Sequence, residues 1–433
     1  MTSGSMLAVE EARARILALV QRLEPVEVSL IDARDMVLAE DVRAGRDIPP
    51  LDNTAMDGYA VRAADTAGAA ESSPVALRVV GELAAGYTWR EPVGPGQALR
   101  IMTGAPMPPG ADAVVPFEET DEHGLAAPKG AHRVEGAVRV LKAARPGANV
   151  RRAGEDVRAD TAVLAAGTQL RAGHLGVLAS LGIDRASCYR RPLVAIISTG
   201  DEVVSPGQPA GPGQIYDSNA YAVAALVQKY GGVPEVLGIA RDTVEDLTVH
   251  LKAAMNADLV VTSAGVSRGD FDVVKTVLAQ QGEIDFWLVN MRPGKPLAFG
   301  VLRGADGRRV PHLGLPGNPV SSMITFELFG RYALLKMRGL PLTDHVRLRA
   351  MMRDRIRMSD GRRFYARCIV SRTPDGGWEA SLSGPQGSGV LTAMAAANGL
   401  AVVPEGSRDV QPGEEVDVLM LDWSAPELAR TGP

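Results

Sequence analysis

Leu193-Val194-Ala195-Ile196-Ile197-Ser198-Thr199-Gly200-Asp201-Glu202, residues 193 to 202, decides the fold class. An unbroken apolar run rich in β-branched residues reads as a short strand buried on both faces, and the polar glycine turn behind it reads as the loop at its carboxyl end. The same order returns further on. Leu259-Val260-Val261-Thr262 runs into Ser263-Ala264-Gly265-Val266-Ser267-Arg268-Gly269-Asp270, followed by a helix expected from about Asp272 to Gln280. Between the two runs, a helix from about Asn219 to Tyr230 stops at Gly231-Gly232. Another begins at Thr243 behind Asp242, where Asp242 and Glu245 have capping-box spacing. Repetition of strand, glycine loop and helix predicts a doubly wound α/β domain with its ligand at the carboxyl ends of the strands.

Outward from this centre the pattern changes on both sides. Leu315-Pro316-Gly317-Asn318-Pro319 is a helix start, with Asn318 as N-cap and Pro319 in the first turn, and the apolar helix behind it should run to about Met337 and stop at Gly339. Beyond it, Arg347/Arg349, Phe364 to Val370, Trp378 to Leu382, Leu400 to Val403 and Val416 to Leu421 are short strands separated by turns, which predicts a small C-terminal β barrel or sandwich. At the other end, Leu7, Ala14, Leu17 and Val20 suggest one face of an amphipathic helix that Pro25 ends. From Val26 to about Arg145, short apolar segments alternate with turns such as Met107-Pro108-Pro109-Gly110, as irregular β structure would. Within that stretch, Pro49 to Arg62 mixes Asp, Asn, Thr, Gly and Met; it reads as a shaped surface, though a turn explains Asp52-Asn53 equally well.

Composition bounds the function. The chain has 433 residues, enough for about three domains, with 46% hydrophobic and 22% charged residues and a net charge of −5. That balance, without long runs of one sign, argues against a nucleic-acid-coating or membrane-surface protein. Two distant cysteines and six scattered histidines support neither a disulfide framework nor a zinc site, so any metal would be hard and oxygen-bound. No apolar stretch approaches the roughly 18 residues of a membrane span, and Met1 to Ser5 does not open a secretory signal, so the cytoplasm is expected. The 47 glycines and 29 prolines fit loops in an ordered protein.

Those loops carry the chemistry. Glycines let backbone N–H groups approach a phosphate, and Met291-Arg292-Pro293-Gly294-Lys295-Pro296 adds two cations between prolines. Solvated loop charge is the plainer reading of Arg292 and Lys295. Neither a Walker A pattern nor G-x-G-x-x-G is present. Asp201, Glu202, Asp270 and Asp272 fall on loops expected to face the ligand, where carboxylates beside a phosphate make sense with Mg²⁺ between them. Asp270 and Asp272 serve equally as charges at a helix start, and Asp242 as a cap.

Ordered motifs then identify a family. DNTAMDGYAVR (52 to 62), RIMTGAPMPPGADAVVPFE (100 to 118), RRAGEDV (151 to 157), STGDE (198 to 202), IYDSN (215 to 219), SAGVSRGDFDVVK (263 to 275), RPGKPLAFG (292 to 300) and LPGNPVSS (315 to 322) resemble the molybdopterin molybdenumtransferases, the MoeA and gephyrin E-domain family, over nearly the whole chain. The resemblance implies Mg²⁺-dependent insertion of molybdate into adenylylated molybdopterin with release of AMP. It implies a multidomain homodimer: a discontinuous first domain (6–45 plus 146–190), an inserted irregular β domain (46–145), a doubly wound α/β molybdopterin-binding domain (191–340) and a C-terminal β barrel (341–425). Functional positions of the family fall on Asp57, Thr103, Asp156, Glu202, Asp242, Asp272, Arg292, Lys295, Ser321, Arg367 and Ser388.

Joined to the loop chemistry, this assigns pterin phosphate and AMP to Ser198, Thr199, Gly200, Asp201, Ser263, Gly265, Ser267, Gly269, Pro316, Gly317 and Asn318, with Glu202 and Asp272 beside the metal. Arg292, Lys295, Ser321, Arg367 and Ser388 would hold molybdate, and Asp57, Thr103 and Asp156 would complete the partner's cleft. A molybdopterin adenylyltransferase is the expected donor, and molybdoenzymes or their chaperones the expected acceptors. Three departures stand out: Ala264 where glycine is common, Leu288 after Trp287 where lysine is common, and Arg292 where lysine is common. Alternatives are an adenylyltransferase, a dimeric scaffold of the gephyrin type, or a paralogue that prefers tungstate.

Overall fold

The computed structural model describes residues 6–122, 136–264 and 273–423, and the chain divides into two compact units. Ser29–Arg34 with Glu40–Ala186 form one, and Met1–Val28, Asp35–Ala39 and Ser187–Pro433 form the other.

In the first unit, strands β1 (Gly58–Val61), β2 (Val75–Leu83), β3 (Gln97–Ile101), β4 (Ala113–Pro116) and β5 (Gly136–Val140) make one sheet in the order β4-β1-β3-β2-β5. Tyr59 and Val61 enter one apolar cluster and Ala60 the other, so both faces of β1 are covered. This corrects the reading of residues 49–62 as a shaped surface at 58–61 alone; of residues 49–57 only Thr54 is buried. Gly58-Tyr59-Ala60-Val61 is a buried interior strand, and its lack of polar alternation follows from its two covered faces.

The second unit begins with helix α1 (Val9–Leu19). Its buried face is Val9, Ala12 and Ile16, continued by Val20, at steps of three and four residues; Ala14 is exposed and Leu17 half-buried, so the expected face was rotated. The central sheet contains β6 (Leu193–Thr199), β9 (Val233–Ala240), β10 (Leu259–Ser263), β11 (Gly282–Leu288), β13 (Pro296–Arg303) and β14 (Arg309–Leu315). A short two-stranded ribbon, β7 (Val203–Val204) with β8 (Ile215–Tyr216), is separate from it, and β12 (Met291–Arg292) leads into β13. The order is β9-β6-β10-β14-β13-β11, parallel through β14 and antiparallel over the last two strands. Val194 and Ile196 pack into one cluster and Ala195 and Ile197 into another, which is why β6 reads as a continuous apolar run. Helices α2 (Asn219–Lys229), α3 (Val244–Ala253) and α4 (Val273–Gln281) follow their strands as expected.

Asn318 does occupy the N-cap of helix α5 (Pro319–Thr325), with extended backbone and Pro319 in the first turn, although its side chain makes no capping bond. The helix continues through a π-turn (Phe326–Gly330) into α6 (Arg331–Met337). Gly330 makes room there for the Phe326 ring, which a Cβ would approach to 2.6 Å. Beyond Gly339, β15 (Arg347–Met352), β16 (Arg363–Arg372), β17 (Trp378–Leu382), β18 (Gly399–Val403) and β19 (Glu415–Met420) pair as β16-β17-β15-β19-β18, and β18 closes back on β16. The sheet is therefore a closed five-stranded barrel. It is fastened to the α/β sheet by β12, which pairs parallel to Arg363–Phe364, and by Val320, whose N–H donates to the Ser388 carbonyl at 3.2 Å. Among the described residues no helix is long and apolar enough to cross a membrane.

Candidate functional site

Parallel strands that all end on one side leave their loops facing a common crevice. Here that crevice is a cavity of about 680 Å³. Ser198, Thr199 and Glu202 line it from the end of β6, Ser263 and Ala264 from the end of β10, and Pro316, Gly317 and Asn318 from the loop before α5. These expected residues are thus brought together. The hydroxyls form a bonded group: Ser263 Oγ donates to Ser198 Oγ at 3.3 Å, and Thr199 Oγ1 donates to the Ser263 carbonyl at 3.1 Å. All three residues are buried, so their polar groups are held in place for a ligand.

Gly200 has a role visible only in the fold. At φ +134°, a Cβ on it would stand 2.5 Å from a Glu202 carboxylate oxygen, so the missing side chain leaves the space Glu202 occupies. Asp201 and Asp242 lie outside the cavity lining and meet each other, the Asp242 N–H donating to Asp201 Oδ1 at 3.3 Å. Asp242 does not cap α3. Thr243 is the N-cap, with extended backbone next to the first helical turn and its side chain accepting from the Asp246 N–H at 3.2 Å. Asp272, Gly265, Ser267 and Gly269, with Asp270 and Arg268, lie outside the described residues.

Ala264 shows what its departure from glycine does. It adopts φ +74°, and a Cβ on Gly317 would come within 3.2 Å of the Ala264 methyl. An L-residue in this region costs about 1–2 kcal/mol, so this loop carries strain where it meets the cavity. Ala264→Gly is therefore expected to leave stability unchanged or raise it by up to about 1 kcal/mol, against the loss of similar size usual for Ala→Gly in a helix. Thermal unfolding checks this; a drop of several degrees would show an unstrained loop.

Asn219 and Asp217 were missed. Both line the cavity. Asn219 Nδ2 donates to the Gly317 carbonyl at 2.7 Å, tying α2 to the loop before α5, and Asp217 Oδ1 accepts the Ala220 N–H at 3.0 Å. The signal was present in IYDSN, an Asp-Ser-Asn run just ahead of a helix, without a stated role.

The cationic group lies towards the barrel. Arg292 donates through Nη1 to Ser359 Oγ and stacks its guanidinium 3.9 Å from the Phe364 ring centroid, so barrel residues set its position. Gly294, at φ +96°, sits where a Cβ would stand 2.5 Å from Thr325 Oγ1, which seats the 292–296 loop on α5. The Lys295 side chain has no hydrogen bond or ion pair among the described residues. Arg367 is 0% exposed. Its Nη2 donates to the carbonyls of Pro385 at 2.7 Å and Gly387 at 3.1 Å, while Nε and Nη1 find no partner among the described residues. Burial pushes its pKa below the ordinary guanidinium value. The segment that receives these bonds continues through Ser388 to Gly389, which lines the cavity. Ser321 is buried in α5, two residues beyond Pro319 of the same lining.

In the other unit, Thr103 donates to Asp57 Oδ1 from both its N–H and its Oγ1, each at 2.7 Å. These two bonds hold the Asp57 carboxyl below the usual range. They follow from register: Gly58 pairs with Ile101, which brings Asp57 beside the turn after β3. The Asp156 N–H donates to the Ile48 carbonyl at 3.0 Å.

A mainly parallel sheet with hydroxyls at its carboxyl ends, joined to a barrel that carries a buried guanidinium with donors unused among the described residues, has groups that an oxyanion-bearing ligand would need. Comparison with known proteins narrows the class. Residues 7–182 match the MoeA N-terminal region (domains I and II), 195–336 a probable molybdopterin binding domain and 349–421 the MoeA C-terminal region (domain IV). Molybdopterin molybdenumtransferase 2 of Mycobacterium tuberculosis is 38% identical over 420 residues, covering 95% of this chain and 99% of the relative. Molybdopterin molybdenumtransferase of Nostoc sp. is 39% identical over 424 residues, covering 96% and 94%. The crystal structure of a molybdopterin biosynthesis MoeA protein from Pyrococcus horikosii superposes with a TM-score of 0.77 at 32% identity, covering 96% of this chain and all of that one. The chain belongs to the molybdopterin molybdenumtransferase family, a family of transferase enzymes.

Proposed function

We infer that the protein transfers molybdenum from molybdate to adenylylated molybdopterin with Mg²⁺-dependent release of AMP. The observation that carries this reading is Arg367: a buried cation with two unused N–H groups is costly unless an anion completes it. A tetrahedral oxyanion fits donors fixed in number and direction. Ser321, Ser388, Arg292 and Lys295 supply hydroxyls and charge at the same end, and Ser198, Thr199, Ser263 and the backbone of Pro316 to Asn318 take the phosphate-bearing part in the cavity. Gly200 and Asp201 shape the loop that presents Glu202, and Gly265, Ser267 and Gly269 are assigned to phosphate binding from the motif. No protein nucleophile is needed: water adds to phosphorus as the phosphoanhydride P–O bond breaks, leaving AMP and the pterin phosphate with a proton released to solvent, and positioning and charge neutralisation lower that barrier.

The donor chemistry suits a hard cation. Glu202, Asp217, Ser198 and Thr199 offer only oxygens to the cavity, and among the described residues no three His, Cys, Asp or Glu side chains form a metal cage. Glu202 would hold Mg²⁺ with Asp272, the remaining positions going to water and substrate phosphate. When bound, Mg²⁺ offsets the repulsion between carboxylate and phosphate.

Asp57, Thr103, Asp156 and Asp242 are read as positioning groups, the first three completing the cleft of a partner copy in a homodimer of four-domain chains divided at 6–45 with 146–190, 46–145, 191–340 and 341–425. Substrate would come from an adenylyltransferase and product pass to molybdoenzymes or their chaperones in the cytoplasm. Purified protein incubated with adenylylated molybdopterin and Mg²⁺ should release AMP only when molybdate is added; release without molybdate, or none with it, sinks this function.

A further inference from the structure

The ribbon beside the cavity has apolar side chains that neither the phosphate nor the oxyanion uses. Ile215 and Tyr216 form β8, and the ribbon is fixed at both ends: the Ile215 N–H donates to the Glu202 carbonyl at 2.8 Å and the Asp217 N–H to the Val204 carbonyl at 2.9 Å. Both residues line the cavity, yet Ile215 is 58% and Tyr216 52% exposed. Adjacent large apolar side chains held half in water at the rim of a ligand cavity leave surface for a ligand to cover. The Tyr216 hydroxyl has no hydrogen bond among the described residues, so the ring is not committed to a polar contact within the fold. The same ribbon begins directly after Glu202, and Tyr216 and Glu202 line the same cavity.

We propose that the Tyr216 ring is the platform on which the flat heterocycle of the bound substrate stacks, making Tyr216 a binding residue of this site. The proposal rests on the reading above, in which the substrate carries adenine and pterin rings joined through phosphates. Either ring presents the π-face that an aromatic platform recognises, and the variants tell them apart.

Calorimetric titration of the full chain with AMP, with a pterin bearing a side-chain phosphate, and with ribose 5-phosphate as a ringless control tests the platform. Loss of one stacking partner corresponds to a roughly 10- to 100-fold change in Kd. Tyr216→Ala should weaken AMP or the pterin phosphate by that factor and leave ribose 5-phosphate unchanged, while Tyr216→Phe stays within about twofold of wild type because the ring face is kept. Loss confined to AMP assigns the platform to adenine; loss confined to the pterin assigns it to pterin. Tyr221→Ala, which removes a tyrosine 58% exposed outside the cavity lining, should change none of them. The platform is overturned if Tyr216→Ala leaves both ring-bearing probes unchanged or weakens ribose 5-phosphate equally. If the wild type binds none of the three, the substrate reading fails as well; intact wild-type binding with an unaffected Tyr216→Ala fails the platform alone.

Discussion

Replacing Arg367 with methionine is expected to leave the unfolding temperature within a few degrees of the wild type and to cut molybdate affinity at least about 100-fold. Both outcomes share one cause. A guanidinium that is 0% exposed has left water, and two backbone carbonyls return only part of its lost hydration. Methionine has comparable length, fills the site with an adaptable apolar chain and leaves no charge behind. Substitutions of buried ion pairs by apolar residues often stabilise by about 1–4 kcal/mol, and losing the bonds to Pro385 and Gly387 costs about 1 kcal/mol each, so the net change lies between a loss of about 1 and a gain of about 2 kcal/mol. Molybdate affinity should fall at least about 100-fold, since truncating a buried charged partner costs about 2–5 kcal/mol. Scanning calorimetry with and without molybdate separates the outcomes. Molybdate should raise the midpoint of the wild type and not of Arg367→Met; a destabilised variant that molybdate still protects would make Arg367 a structural residue.

Arg367 also shows where sequence reading stops. Within Phe364 to Val370 an arginine looks like the solvent face of a strand, and its burial follows only from closure of the barrel, when β18 pairs back onto β16 and covers it. The apolar runs of β6 and β10 were legible because both faces of the sheet are covered, so no polar residue interrupts them. The start of α5 was legible because Asn-Pro encodes a local backbone geometry. At α3 the same local logic failed: Asp242 and Thr243 both fit the spacing, and the threonine is the cap. The cavity was legible as loops, but not the links among them, because Asn219 reaches Gly317 across 98 positions of sequence. Glycine was read as giving access to an anion, whereas Gly200 and Gly294 make room for Glu202 and Thr325. Those contacts are between the protein's own groups and leave no trace in local composition.

Gly58→Ala is expected to disrupt the first unit more than any other single methyl added to the 52–62 motif. Gly58 lies in an interior strand, paired with Ile101 on one side and Pro116 on the other. A Cβ there would stand 2.1 Å from the Val115 carbonyl oxygen and 2.9 Å from the Pro116 Cα. The obstacle is backbone, so no rotamer change relieves it; β1 must separate from β4 or carry overpacking strain of about 3 kcal/mol or more. Because Asp57 directly precedes the displaced residue, its two bonds from Thr103 should loosen as well, and its carboxyl should rise towards the ordinary aspartate value. Hydrogen exchange would read the first effect as lost protection in Gly58–Val61 and Ala113–Pro116, with β6 and β10 unchanged, and carboxyl NMR titration would read the second. Full protection of both segments would show that the sheet accepts the methyl. An unshifted Asp57 in a variant that has lost protection would separate the carboxylate's position from the strand, so that the Asp57–Thr103 pair is set by the 102–104 turn alone.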